Sequence, residues 1–146
     1  MKKTLLFVLM AVLGIGISSA RDRYSRNVAD LPTAALSFIN NNFKAKVSLI
    51  KIDKETFGGT DYEVVLTDGS EIDFDSKGNW KDIEVPAGKG ISDKIVPSLT
   101  QQYIKTNHRG QRVVGMERER HGYSIQLTNG IEFKTDPSGR FLRYDD

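Results

Sequence analysis

The residues best placed to do chemistry lie between Asp73 and Glu84. Asp73, Asp75, Gly78 and Glu84 fall at positions one, three, six and twelve of a window, the spacing of an EF-hand calcium loop. Lys77 opposes that reading, because it sets an ammonium at position five, where a carboxylate should ligate. The flanks alternate like strands and do not show the helical period. The window is therefore expected to be a β-hairpin turn with no metal ligands, and a cation-sensing role for this acidic hairpin is the alternative. Asp73 and Asp75 also resemble a general acid–base pair. Alternation is expected to leave both in solvent, and carboxyls with ordinary pKa values make poor general acids near neutral pH.

Other candidate groups are sparse. Arg118, Arg120 and His121 stand beside Gly122 and could grip a phosphate or carboxylate, or simply be solvated loop charges. The sequence contains no cysteine, which excludes disulfides, thiolate zinc sites and cysteine nucleophiles. No nucleophile elbow or phosphate loop is present. Catalytic residues and cofactors are expected to be none, and the chain is expected not to be an enzyme.

Some of the chain is expected to serve export alone. Lys2 and Lys3 precede an apolar run from Leu5 to Ile17, and Ser18-Ser19-Ala20 supplies small residues before Arg21. Thirteen apolar residues rise about 20 Å as a helix, short of the roughly 30 Å hydrocarbon core. Residues 1–20 are read as a cleaved signal peptide and residues 21–30 as an N-terminal extension. No cysteine follows the leader, so this is not a lipoprotein signal. The expected location is periplasmic or secreted, with no stable membrane insertion. The chain has 21 basic and 19 acidic residues; without Lys2 and Lys3 the two are equal, so no global field favours nucleic acid.

What positions the remaining residues is a repeat. A shift of 61 residues lays Tyr62, Val64, Leu66, Asp68 and Gly69 on Tyr123, Ile125, Leu127, Asn129 and Gly130. The same shift lays Glu71, Ile72, Asp75, Gly78 and Trp80 on Glu132, Phe133, Asp136, Gly139 and Phe141. Upstream the shift becomes 65: Leu31-Pro32 meets Val96-Pro97, Phe38-Ile39 meets Tyr103-Ile104, and Phe43 meets His108. The change of shift implies four residues deleted between helix and hairpin. Residues 31–84 and 96–146 are read as tandem repeats joined by a linker, 85–95.

Each repeat is expected to open with a helix, with Pro32 or Pro97 in its first turn and asparagines ending it. Four antiparallel strands follow: Val47 to Glu55, Tyr62 to Leu66, Glu71 to Asp75 and Trp80 to Glu84 in the first repeat. Asp68-Gly69 and Asn129-Gly130 are two-residue hairpin signals, both residues of which can hold positive φ. The fold class is α+β. A unit of some fifty residues is marginal alone, so the two sheets are expected to share one interior.

Leu31-Pro32, the Tyr62-x-Val-x-Leu-x-Asp-Gly strand and turn, and Gly78-Asn79-Trp80 carry a resemblance. They are echoed by Val96-Pro97, Tyr123-x-Ile-x-Leu-x-Asn-Gly and Gly139-Arg140-Phe141. Together they resemble the PepSY-like, β-lactamase-inhibitor-like family of small exported bacterial proteins, over about Leu31 to Tyr144. The resemblance implies tandem helix-plus-sheet units whose sheets join into one curved surface, and no catalytic residues. It implies an exported protein-binding module, inhibitor-like or regulatory toward an envelope or secreted protein. The outward positions Asp61, Glu63, Glu71, Asp73, Gln126 and Lys134 would form the binding surface, with Trp80 at its margin: its repeat position points to the core, and a partly exposed binding anchor is the alternative. Residues 31–84 carry ten acids against six lysines and residues 96–146 eight basic residues against six acids, so this surface is polarised.

Overall fold

The computed structural model describes residues 22–55 and 59–145. Residues 1–20, expected to be a signal peptide, lie outside them, as does Gly58 of the turn expected at Gly58-Gly59. Nine strands form one antiparallel sheet in strict sequence order. The strands are β1 (Asp22–Ser25), β2 (Val47–Glu55), β3 (Gly59–Leu66), β4 (Glu71–Phe74), β5 (Trp80–Glu84), β6 (Val113–Glu119), β7 (Gly122–Leu127), β8 (Glu132–Thr135) and β9 (Phe141–Tyr144). Helix α1 (Thr33–Asn42) precedes β2, and α2 (Ser98–Asn107) precedes β6.

One row of buried side chains runs across the sheet through paired positions: Ile50, Val64, Ile72, Ile83, Met116, Ile125 and Phe133. The helices add Ala35, Ile39, Thr100 and Ile104 to the same interior. Period-two alternation sends the residues between them to the opposite face, which neither α1 nor α2 covers. The two halves meet edge to edge through β5 and β6, where Asp82 pairs Glu117 and Ile83 pairs Met116. The linker is tied to the same seam: Val85 N–H donates to Val114 O at 2.9 Å and Ile91 N–H to Val113 O at 2.7 Å.

Three expectations need adjustment. The N-terminal extension contains a strand: β1 pairs with β2, and the Asn27 side chain caps a following 3-10 turn at Val28–Asp30. Pro32 and Pro97 occupy the N-cap positions and so lie just outside the helices. Asp68 and Asn129 do not adopt positive φ; only the glycines do, at +89° for Gly69 and +85° for Gly130. Gly69 N–H donates to Leu66 O while Leu66 N–H donates to Ser70 O, so the turn continues into a glycine bulge and is longer than a two-residue loop.

The net four-residue deletion is divided between two places. Val47 pairs Leu66 and Val113 pairs Leu127. Those hairpins span 20 and 15 residues, so the second is shorter by five. The loop between helix and strand is longer by one, since Val47 follows Asn42 by five residues and Val113 follows Asn107 by six.

Candidate functional site

The helix-free face carries a row of charge set by register. Lys51 on β2 pairs Glu63 on β3, which pairs Asp73 on β4, which pairs Asp82 on β5, which pairs Glu117 on β6. The row continues through Ser124 and Lys134 to Arg143 on β9. Four carboxylates on adjacent strands are thus bracketed by cations. Directly opposed like charges destabilise a sheet, and here three successive pairs are acid on acid. Glu71 and Glu84 form a second such pair in the neighbouring row.

These side chains are half-buried, and their proton affinities respond. Burial, followed by the Glu63 and Asp82 charges, pushes the Asp73 carboxyl up to about 8. Burial with Glu84 raises Glu71 to about 7, and burial with Glu84 and Glu117 raises Asp82 to about 7. Burial also raises Glu63 and Glu84. One oxygen of Glu71 is buried without a hydrogen-bond partner among the described residues. The expectation that these acids stay fully exposed with ordinary pKa values therefore fails. Adjacent strands lie about 4.8 Å apart, so long side chains on one face cover one another.

The flanks are tied by ion pairs. Lys51 Nζ lies 3.6 Å from Asp22 and 3.7 Å from Glu63, and Lys81 Nζ lies 3.0 Å from Asp61. Lys134 pairs with Glu119 and, at 3.5 Å, with Asp145. Gln126 lies opposite Gly115 and beside Glu132, at the far side of the carboxylates. Six of the seven expected surface residues thus share one face. The sequence reading omitted Asp82, Glu84 and Glu117, although alternation along β5 and β6 would have placed them there.

Trp80 takes the core position and not the partner-binding one. It is 7 % exposed and belongs to the interior. Its ring stacks between Phe38 at 6.3 Å and Tyr123 at 6.1 Å, and the Arg118 guanidinium lies 4.2 Å from its ring centre. Pairing with Phe74 turns it toward the helices. It is a packing residue at the seam between the halves, and Arg118 caps it.

The acidic hairpin is a turn built from its own carboxylate. Asp75 Oδ1 accepts from the backbone N–H groups of Lys77 and Asn79, each at 2.9 Å, and Oδ2 accepts from the Asn79 side chain. Burial opposes the effect, yet these hydrogen bonds hold Asp75 below the usual carboxylate range. Asp136 makes the same bonds to Ser138 and Arg140 N–H. Asp73 and Glu84 lie on strands pairing outward from the turn, so the EF-hand geometry is not formed. Among the described residues, no three histidine or carboxylate side chains are disposed to hold a metal ion.

The protein described as a putative periplasmic protein of unknown function from Bacteroides vulgatus is 40% identical, with TM-score 0.79; the match covers 86% of this chain and 99% of that one. A putative calcium-regulated periplasmic protein from Bacteroides thetaiotaomicron is 30% identical, TM-score 0.77, over 86% of this chain and 97% of that one. A further periplasmic protein of B. vulgatus is 28% identical, TM-score 0.76, over 88% and 100%. No curated protein matches this chain. Among the described residues no helix is long and apolar enough to cross a membrane. The family model described as "Putative beta-lactamase-inhibitor-like, PepSY-like" matches residues 60–143, from β3 into β9, and the chain belongs to that family.

Proposed function

We propose that this chain is an exported, non-enzymatic binding module of the periplasm whose helix-free sheet face docks another protein. The carrying observation is the row Glu63, Asp73, Asp82, Glu117 on adjacent strands of an uncovered face. A partner presenting a basic strip relieves the repulsion within that row, gaining on-rate and specificity from complementary charge. Asp61, Glu71, Gln126 and Lys134 extend the contact around it. The partner is an envelope or secreted protein, and the outcome of docking is inhibitory or regulatory.

Residues 1–20 serve as the export signal in this reading, and the similarity to periplasmic proteins supports the location. The helix-plus-four-strand halves descend from one duplicated unit, a view supported by their matching turns at Asp75–Asn79 and Asp136–Arg140.

The test is affinity capture by the tagged, processed protein from its own envelope, in parallel with a Glu63→Gln, Asp73→Asn, Asp82→Asn, Glu117→Gln variant. The neutralised face is expected to lose a partner that wild type retains at low salt and releases at high salt. Retention by both proteins, independent of salt, refutes the surface.

A second reading, a cation sensor, draws on the likeness to a protein described as calcium-regulated and on the same carboxylates. The acidic hairpin itself does not favour it, because Asp75 is committed to its turn. A melting temperature raised by millimolar calcium, and not by the partner, would select this second reading.

A further inference from the structure

The helix-covered side of the C-terminal half contains a cleft of about 460 Å³ between the linker and the end of α2. Its floor is Ile91, Val96, Ile104 and Val113. These side chains belong to the core yet keep 4–8 % exposure, whereas the core residues of β3, β4 and β7 keep 0–1 %. The floor residues are as buried as Leu31 and Trp80, so the cleft reaches only their edges.

The N-terminal half is built differently at the matching place. Ile39 on α1 is 2 % exposed, with Phe43 at the helix C-cap and Ala45 packed against the same core. The residue four beyond Ile104 is His108, and the one two before Val113, as Ala45 is two before Val47, is Gln111. A phenyl ring is replaced by an imidazole and a methyl group by a longer polar side chain, with Gly110 added between them. Gly110 holds φ +83°, and a Cβ there would meet nothing within 4 Å. His108 stacks on Phe133 at 6.3 Å and lies 3.1 Å from the Tyr144 hydroxyl, so this end is covered by a smaller, more polar ring than in the N-terminal half.

The rim has one sign of charge. Lys89, Lys105, Arg109 and Arg112 line the opening, against Asp93 as the sole acid of the lining. Arg112 Nη1 donates to Gly88 O at 2.8 Å, which ties the guanidinium to the linker and leaves its other N–H groups to donate elsewhere. The volume falls within the roughly 300–1,000 Å³ usual for small-molecule sites, whose lining is mostly apolar with a few polar groups fixing orientation.

We propose that this cleft binds a small amphiphile with an anionic head group. Its apolar chain lies on Ile91, Val96, Ile104 and Val113, and its carboxylate or phosphate is held by Lys105, Arg109 and Arg112. The geometry excludes a cationic amphiphile by repulsion at the rim, and a bare anion gains nothing from the floor. The site lies on the opposite side of the sheet from the carboxylate row, so each stands or falls alone.

Titration calorimetry of the purified protein with decanoate, decyl phosphate, decyltrimethylammonium and inorganic phosphate tests it. Saturable one-site binding of decanoate or decyl phosphate is expected, the tighter of the two naming the head group, with no binding of the other two probes. Lys105→Glu with Arg109→Glu, both exposed on the rim, should weaken binding tenfold or more without altering the melting temperature. If that pair fails to fold, Arg109→Ala alone should weaken binding several-fold. His108→Phe, which restores the residue used in the N-terminal half, should also weaken binding by filling the cleft. Failure of both anionic amphiphiles to saturate, equal uptake of the cationic one, inorganic phosphate binding as tightly, or unchanged affinity in the charge-altered folded variants would each overturn the proposal.

Discussion

The halves 31–84 and 96–146 use nearly the same interior to carry opposite exteriors. On the helix side one ring from each helix packs on its own sheet, although Phe74 and Phe133 sit one paired row apart. Phe38 meets Phe74 edge-on at 5.9 Å, and Tyr103 meets Phe133 edge-on at 5.3 Å; Phe38 stacks on Trp80, and Tyr103 on Phe141. On the open face the correspondence disappears. Glu63, Asp73 and Asp82 in one half stand where Ser124, Lys134 and Arg143 stand in the other. Burial constrains volume and polarity closely, whereas the uncovered face constrains only alternation. Function can therefore diverge there without changing the fold.

The interior half of that comparison is open to the largest test. Phe74 and Phe133 are both fully buried, Phe74 where the second half has Thr135 and Phe133 where the first has Ile72, so Phe74→Ala and Phe133→Ala should each cost about 3–5 kcal/mol in urea unfolding. One cooperative transition is expected for both variants. Two separated transitions would break the view that the halves share an interior.

Close approach between turn and helix gives the next effect. Gly78 and Gly139 hold φ +84° and +89°. A Cβ would lie 2.8 Å from Ala35 N in the first case and 2.4 Å from Pro97 Cβ in the second. Alanine at either should destabilise by roughly 1–3 kcal/mol, with Gly139→Ala the worse. The reverse order in denaturant midpoints would contradict the tighter packing of α2.

A smaller difference lies beneath it. Buried Thr100 donates its hydroxyl to Gly139 O at 2.7 Å, where the N-terminal half has Ala35. Thr100→Val should cost about 1–2 kcal/mol by leaving that carbonyl without its partner. An unchanged midpoint would mean that the hydroxyl adds nothing to packing.

The pH response sharpens the contrast between exteriors with the smallest shifts. Glu71, Asp73 and Asp82 have folded pKa values raised to about 7–8. Their contribution is complete below the unfolded value near pH 4 and is lost as pH rises through about 8. Asp75 and Asp136 are held low and act in the other direction, their contribution disappearing only as pH falls below about 4. Melting temperature should therefore be higher at pH 5 than at pH 8 by a few degrees. Asp73→Asn should narrow that gap, while Ser124→Ala in the C-terminal half should not. Equal narrowing by both would refute the assignment of the pH response to the acid row.

Much of the fold was legible because its signals are local. The strands from Val47 to Glu84 follow alternation and turn glycines, and the helices end at the asparagines that ended them on paper. Asn42 and Asn107 each donate a side-chain N–H to the carbonyl four residues back. β1 was not legible. Asp22-Arg23-Tyr24-Ser25 has no apolar alternation, and only the free edge of β2 makes it a strand. Gly78 and Gly139 were legible as turn residues, but not as the points where each hairpin meets its helix.

The candidate site divides the same way. Face membership of Glu63, Glu71, Asp73 and Lys134 came from alternation. The row itself did not, because Asp82 and Glu117 become neighbours only through the seam between β5 and β6. The alternative for Trp80 stayed open for the same reason: its second stacking partner, Tyr123, comes from the other half. By itself the chain determined its elements, its turns and the side of the sheet on which each residue lies, since these depend on neighbours within a few positions. Only the tertiary structure decided which edges join, which carboxylates crowd and where the cleft opens, because those depend on register between segments distant in sequence.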